Sequence, residues 1–172
     1  SSYTNDYLSI YSFYSENDKK YRFLRDILLK DRYFEIVLGL MEEKKYSVLS
    51  RKKDLFMSSS DIKTLHERGH SIGLHSHNHS TSFDFLTYED QLQEYTKNYN
   101  LINSIISEKI LSMSHPCGKY NEDTLKILKK LGIKIGFRDS MSPSKIKSNL
   151  EIPREDHSNI LKFIKQKQSS FI

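Results

Sequence analysis

His75, His77 and His79 place three imidazoles within five residues of a 172-residue chain. Imidazole suits Zn, Fe, Co or Ni, and each neutral ring offers a metal one lone pair. Whether two rings can share a cation depends on spacing. In an extended strand His75 and His79 would stand about 13 Å apart, beyond the reach of one metal. Where the chain leaves the strand and curls into a helical turn, side chains at i and i+4 approach to about 5–6 Å. That suits two nitrogens about 2.1 Å from a common ion. Ser76, Asn78 and Ser80 favour such a turn. The competing reading is a polar loop whose histidines only face water.

A second stretch with chemical potential is His115-Pro116-Cys117-Gly118-Lys119-Tyr120, a turn by its Pro and Gly. The elements around both stretches are predicted from periodicity and caps. Ser60 caps a helix over 61–68, closed by Gly69, and Ser71–Leu74 reads as a short strand leading into the histidines. Thr87-Tyr88-Glu89-Asp90 resembles a capping box for a helix reaching about Ser107, with Leu92, Tyr95, Tyr99, Ile102 and Ile106 on one face. A strand over 110–114 precedes the proline turn. Asn121 caps a helix over 122–131, Gly132 ends it, and 133–137 is a further strand. Leu150-Glu151-Ile152 is a candidate strand closed by Pro153, and Ser158 starts a last helix. From about residue 60, helix and strand alternate, which predicts an α/β fold with a parallel sheet or barrel. In such folds ligands sit at the carboxyl ends of the strands, so the two stretches are expected at one rim. Before them, Asn17 or Asp18 caps a helix carrying Tyr21, Phe23, Leu24, Ile27 and Leu28. Asp31 starts a second, with Phe34, Val37, Leu38 and Met41. A helical hairpin with its aromatics in the core is the expectation, with a lysine-rich connection over 45–57.

Composition narrows the function classes. The net charge is +5 and the pI about 9.1, but the lysines are scattered rather than striped, which argues against nucleic acid. A single cysteine, Cys117, excludes an internal disulfide. No apolar run approaches the roughly 20 residues of a membrane span, and no basic-then-apolar leader opens the chain. The chain as it stands reads as soluble and cytoplasmic, with the localisation of the protein itself left open. Its abrupt start, Ser1-Ser2-Tyr3-Thr4, leaves room for a piece upstream.

Ser71-Ile72-Gly73-Leu74-His75-Ser76-His77-Asn78-His79 and Ser114-His115-Pro116-Cys117-Gly118-Lys119-Tyr120-Asn121, in this order, resemble the second and third motifs of the polysaccharide deacetylase family. This is the NodB-homology domain, or carbohydrate esterase family 4, and the likeness covers roughly residues 55–140. The resemblance implies a distorted (β/α) barrel and a divalent metal, Zn first, with Co, Ni or Fe as alternatives. It implies His75 and His79 as the metal histidines, and Cys117 at the position whose backbone N–H holds an oxyanion. Pro116 shapes that turn, while His115 and Tyr120 are candidates to line the substrate pocket. Arg154 and Asp156 become a candidate charge pair orienting the catalytic base, and His157 a candidate general acid. Read as a helix start, the same Asp156 is placed by the macrodipole alone. The family's first motif, Phe-Asp-Asp-Gly, has no counterpart, since no Asp-Asp occurs anywhere; Asp6 and Asp84 are the nearest substitutes on offer. The barrel is therefore expected to be incomplete at its N-terminus, with residues 1–54 a helical extension on a catalytic domain over 55–172. The implied activity is hydrolysis of the N-acetyl group of an amino sugar or polysaccharide, in a bacterial cell-surface polysaccharide pathway. The alternative is a carbohydrate-binding relative without turnover.

Overall fold

A computed structural model describes residues 14–47, 56–141 and 145–164, apart from 156, 158 and 162. These residues fall into two compact units, one within 1–56 and the other within 57–172.

In the first unit, helix α1 (Glu16–Phe23) starts at Ser15, just upstream of the expected Asn17 or Asp18. Ser15 Oγ accepts from the Asp18 amide, and the Asp18 carboxylate accepts from the Ser15 amide, so two otherwise orphaned donors are satisfied reciprocally. A π-helical turn (Leu24–Leu29) and a 3-10 turn (Lys30–Arg32) follow. Helix α2 (Tyr33–Glu43) comes next, so the two helices are linked by helical turns rather than by a loop. Lys30, at φ 46°, marks the break. Among the described residues the expected core is met only in part. Phe23 is buried, but Phe34 is 73% exposed, and Tyr21, Leu24, Ile27, Leu28 and Leu38 are exposed as well. Helical periodicity identifies an apolar face without saying what covers it.

The second unit carries the parallel sheet. Helix α3 (Ser59–Glu67) is capped by Ser58, two residues before the expected Ser60, through a reciprocal bond with Asp61. Helix α4 (Tyr88–Ile106) begins at Thr87, whose Oγ1 accepts from the Asp90 amide at 3.1 Å. Strand β1 (Ser112–Ser114), helix α5 (Glu122–Lys130) on its Asn121 cap, and strand β2 (Ile135–Phe137) follow. β1 and β2 run parallel, with Ser112 opposite Ile135 and Ser114 opposite Phe137. Single parallel bridges extend the ladder on both sides, Leu74 to Met113 and Ile152 to Phe137.

The expected strand over 150–152 is reduced to Ile152, because Asn149–Glu151 forms a 3-10 turn. There Ser148 Oγ accepts from the Leu150 amide and Glu151 accepts from the Lys147 amide. These local bonds compete with a ladder. Leu74, Met113, Ile127, Leu128 and Leu150 pack around the sheet, with Phe83 and Tyr95 beside them. His75, His115, Arg138 and the Pro153-Arg154 pair each come directly after a parallel ladder position, at the carboxyl end of the sheet. No helix among the described residues is long and apolar enough to cross a membrane.

Candidate functional site

The histidine loop brings His75 and His79 together, with ring centroids 4.8 Å apart. The spacing agrees with expectation, but the backbone device differs. Instead of a helical turn, Ser76 (φ 59°) and His79 (φ 54°) take left-handed conformations. The hydrogen bonds that hold this path come from α4 and from the loop itself. Asn98 Oδ1 accepts from the His75 amide at 3.0 Å. The Glu94 carboxylate accepts from the amides of His77 (3.1 Å) and Asn78 (2.8 Å) and from Asn78 Nδ2 (2.7 Å). Ser76 Oγ accepts from the His79 amide at 3.1 Å. Glu94 and Asn98 stand four apart on one face of α4, the spacing that lets one helix serve two points of a loop.

His75 Nδ1 lies 2.8 Å from the Ser114 carbonyl oxygen. A carbonyl only accepts, so the proton sits on Nδ1 and the lone pair on Nε2, the arrangement in which a ligating histidine is fixed by its other nitrogen. Desolvation pushes the His75 pKa down, and the positive fields of His79 and Arg154 add to this against the opposing bond to Ser114. This shift favours the neutral ring, the form in which a histidine binds a metal.

Beside it lies the proline turn. Pro116–Gly118 forms a 3-10 turn in which Cys117 is left-handed (φ 51°, ψ 24°) and its thiol exposed. Gly118 follows at φ 63°, a backbone conformation that favours glycine, and a Cβ there would displace the Asp139 carboxylate. Six non-glycine residues at positive φ are found among the described residues, and Ser76, His79 and Cys117 are three of them. Each such conformation costs on the order of 1 kcal/mol; the other three, Lys30, Lys45 and Ser107, lie at helix ends.

The remaining expected residues separate clearly. Arg154 lies close enough to act electrostatically on His75. His157 is exposed in a helical turn, and Asp156 lies outside the described residues, as does Asp6. His77 is exposed and contributes its amide to the Glu94 bond. Asp84 sits in the 3-10 turn Phe83–Phe85, where its carbonyl accepts from Asn121 Nδ2. His115 is only 1% exposed, so it stands behind the proline turn rather than at the surface of a pocket. Its Nε2 donates to the Leu150 carbonyl at 2.7 Å, and its ring stacks on Tyr120 at 4.3 Å. Among the described residues no group of three or more His, Cys, Asp or Glu side chains is arranged to hold a metal ion. Two imidazoles therefore fit a cation as half of a ligand set.

Glu94, Asn98, Asp139 and Glu151 were not legible as site residues. The first two carried a signal, a carboxylate and an amide one helical turn apart on the helix after the histidine run. The other two depend on contacts across the sheet, which no local pattern announces.

Three comparisons bear on this geometry. The polysaccharide deacetylase family profile matches residues 33–136. A Bacillus subtilis protein named as a polysaccharide deacetylase, YxkH, is 29% identical over 80 residues, which is 46% of this chain and 28% of that protein. Two solved structures share the fold. The Streptococcus pyogenes deacetylase PplD, in complex with acetate, is 20% identical (TM-score 0.51) over 62% of this chain and 50% of that one. The BpsB deacetylase domain from Bordetella bronchiseptica is 20% identical (TM-score 0.51) over 59% and 49%. The chain thus spans half or less of the length of these relatives. With the family profile running through all of α2, the histidine loop, the proline turn and into β2, the chain belongs to the polysaccharide deacetylase family.

Proposed function

We propose that this chain supplies one side of the active site of a metal-dependent deacetylase that hydrolyses the N-acetyl group of an amino sugar or glycan. The observation that carries the reading is the His75–His79 pair, 4.8 Å apart, with His75 fixed by the Ser114 carbonyl beside the Cys117 turn. His75 Nε2 and the His79 ring are the groups that hold the cation, Zn in the first instance. A divalent cation there supplies a Lewis acid for the amide carbonyl. The Cys117 backbone N–H, on a turn fixed by Pro116 and Gly118, stabilises negative charge developing on the carbonyl oxygen. The Arg154 guanidinium adds positive potential on the same side. In this reading Arg154 pairs with Asp156 to orient the base, and His157 protonates the leaving amine. The third ligand and the carboxylate that takes the proton from water are to be sought outside the described residues. The fold assigned with this function is a distorted (β/α) barrel over residues 55–172, with 1–54 as a helical extension, although the family match already begins at Tyr33.

Metal content of the wild type against His75→Ala and His79→Ala tests the site, and equal content in all three would remove its basis. Acetate release from N-acetylglucosamine oligomers tests the activity. A second reading, a carbohydrate-binding relative without turnover, is favoured by the lack of a third ligand among the described residues. It predicts metal retention and oligomer binding with no acetate released.

A further inference from the structure

We propose that His115 is a positioning residue, tying the Cys117 turn to the 149–152 segment so that the Cys117 amide and Arg154 keep a fixed separation. Its backbone already belongs to the sheet, with the amide donating to Phe137 O and the carbonyl accepting from the Gly118 amide. Its ring then reaches past β2 to Leu150 O. The same Leu150 backbone packs closely against Gly136 of β2, which has no side chain. A Cβ at Gly136 would stand 2.6 Å from the same Leu150 oxygen. From the other face Tyr120 stacks on the imidazole, and its hydroxyl donates to Glu151 Oε1 at 3.1 Å. Glu151, 3% exposed, also accepts from the Lys147 amide and the Ser148 hydroxyl. The proline turn and the 149–151 turn are therefore joined twice, once through each ring.

His115 is a poor choice for stability alone. With Nε2 donating, Nδ1 is an acceptor, and it is buried without a hydrogen-bond partner among the described residues. An unmet buried acceptor costs stability that an apolar residue would not lose, so such a group calls for a reason. A flat ring that both stacks on Tyr120 and donates to Leu150 supplies one. Ile152, Pro153 and Arg154 follow directly from the segment it holds. A misplacement of about 1 Å at a reacting centre costs up to roughly a hundredfold in rate, so a rigid tie between oxyanion donor and guanidinium has catalytic weight.

The kinetic part of this inference rests on the deacetylase reading; the part concerning the turn does not. The test uses the full chain with two variants, Tyr120→Phe, which keeps the stack and drops the Glu151 bond, and His115→Gln, which keeps a donor and drops the stack. In both, kcat for acetate release from N-acetylglucosamine oligomers is expected to fall roughly ten- to hundredfold at nearly constant KM. The rate at which iodoacetamide alkylates the exposed Cys117 is expected to change in both, with the melting temperature of Tyr120→Phe close to wild type. Unchanged alkylation in folded variants overturns the tie, as does a rate loss that only follows melting temperature. If the wild type releases no acetate, the deacetylase reading fails, and the alkylation arm decides the tie on its own.

Discussion

Replacing Glu94 by Ala should loosen the histidine loop without touching either candidate ligand. The carboxylate accepts three hydrogen bonds from residues 77 and 78, the middle of the loop. A hydrogen bond contributes about 0.5–1.5 kcal/mol net, and these are solvent-facing, so the loss is placed near the low end, about 2 kcal/mol in all. That bias acts on the population of the loop that presents both rings together. Apparent metal affinity scales with that population, so Glu94→Ala is expected to weaken metal binding by up to about thirtyfold. Glu94→Gln keeps one oxygen acceptor and is expected to fall between the two. Asn98→Ala removes the bond to the His75 amide and is expected to weaken binding less, since one bond is lost rather than three. Zinc competition against a chromophoric chelator gives the affinities. Amide hydrogen exchange at His77 and Asn78 gives a readout independent of metal, with protection expected to drop in the Glu94 variant. Wild-type zinc affinity in Glu94→Ala, together with unchanged exchange at those amides, would refute the cradle.

Three other perturbations follow from the packing. Gly136→Ala drives a Cβ to 2.6 Å from Leu150 O and 2.9 Å from its Cα, backbone atoms that cannot swing away; the expected loss is about 1–3 kcal/mol, measured by denaturant midpoint. Tyr95 is fully buried, its hydroxyl has no partner among the described residues, and desolvation raises its pKa; Tyr95→Phe is expected to be neutral or stabilising by about 1 kcal/mol, seen as an unchanged or higher melting temperature. Desolvation also lowers the pKa of His115, and of His75, below the ordinary imidazole value of 6.5. The unfolded chain then binds more protons than the folded one on the acid side. The stability these rings contribute is fully present above about pH 6.5 and is lost as pH falls through their folded values. Denaturant midpoints should decline between pH 7 and 5, and the decline should be shallower in His115→Gln.

Much of the second unit could be read from residue types because its signals are local. Thr87, Asn121, Gly69 and Gly132 fix helix ends through bonds to their own neighbours, and the structure has helices starting or stopping there. The alternation of helix and strand carried the parallel sheet, and with it the shared rim for the two motifs. The histidine loop was legible in distance but not in mechanism, because its path depends on Glu94 and Asn98, which lie more than fifteen residues away. The first unit misled for a different reason. Tyr21, Leu24, Phe34 and Leu38 recur at helical spacing, yet they are exposed. Periodicity is a property of one helix and burial is a property of two. The segment at 149–151 failed as a strand because Ser148 and Glu151 offer the backbone nearer partners than the β2 edge.

His75 and His115 show how one residue type serves two ends when the sheet chooses which nitrogen is engaged. Each follows a ladder position at the same end of the sheet, and each donates one ring N–H to a backbone carbonyl on a neighbouring segment. For His75 the engaged atom is Nδ1, close to the backbone, so the ring is fixed near its root and Nε2 at the tip keeps its lone pair. For His115 the engaged atom is Nε2 at the tip, so the ring is stretched across β2, and the remaining lone pair on Nδ1 is buried where no ligand reaches it. A carbonyl near the root leaves a ligand available, and a carbonyl near the tip makes a strut. The difference lies in where Ser114 O and Leu150 O fall relative to each Cβ, which is set by β1–β2 register and by the bare backbone at Gly136. A shift of one residue in that register would exchange or abolish both proposed roles.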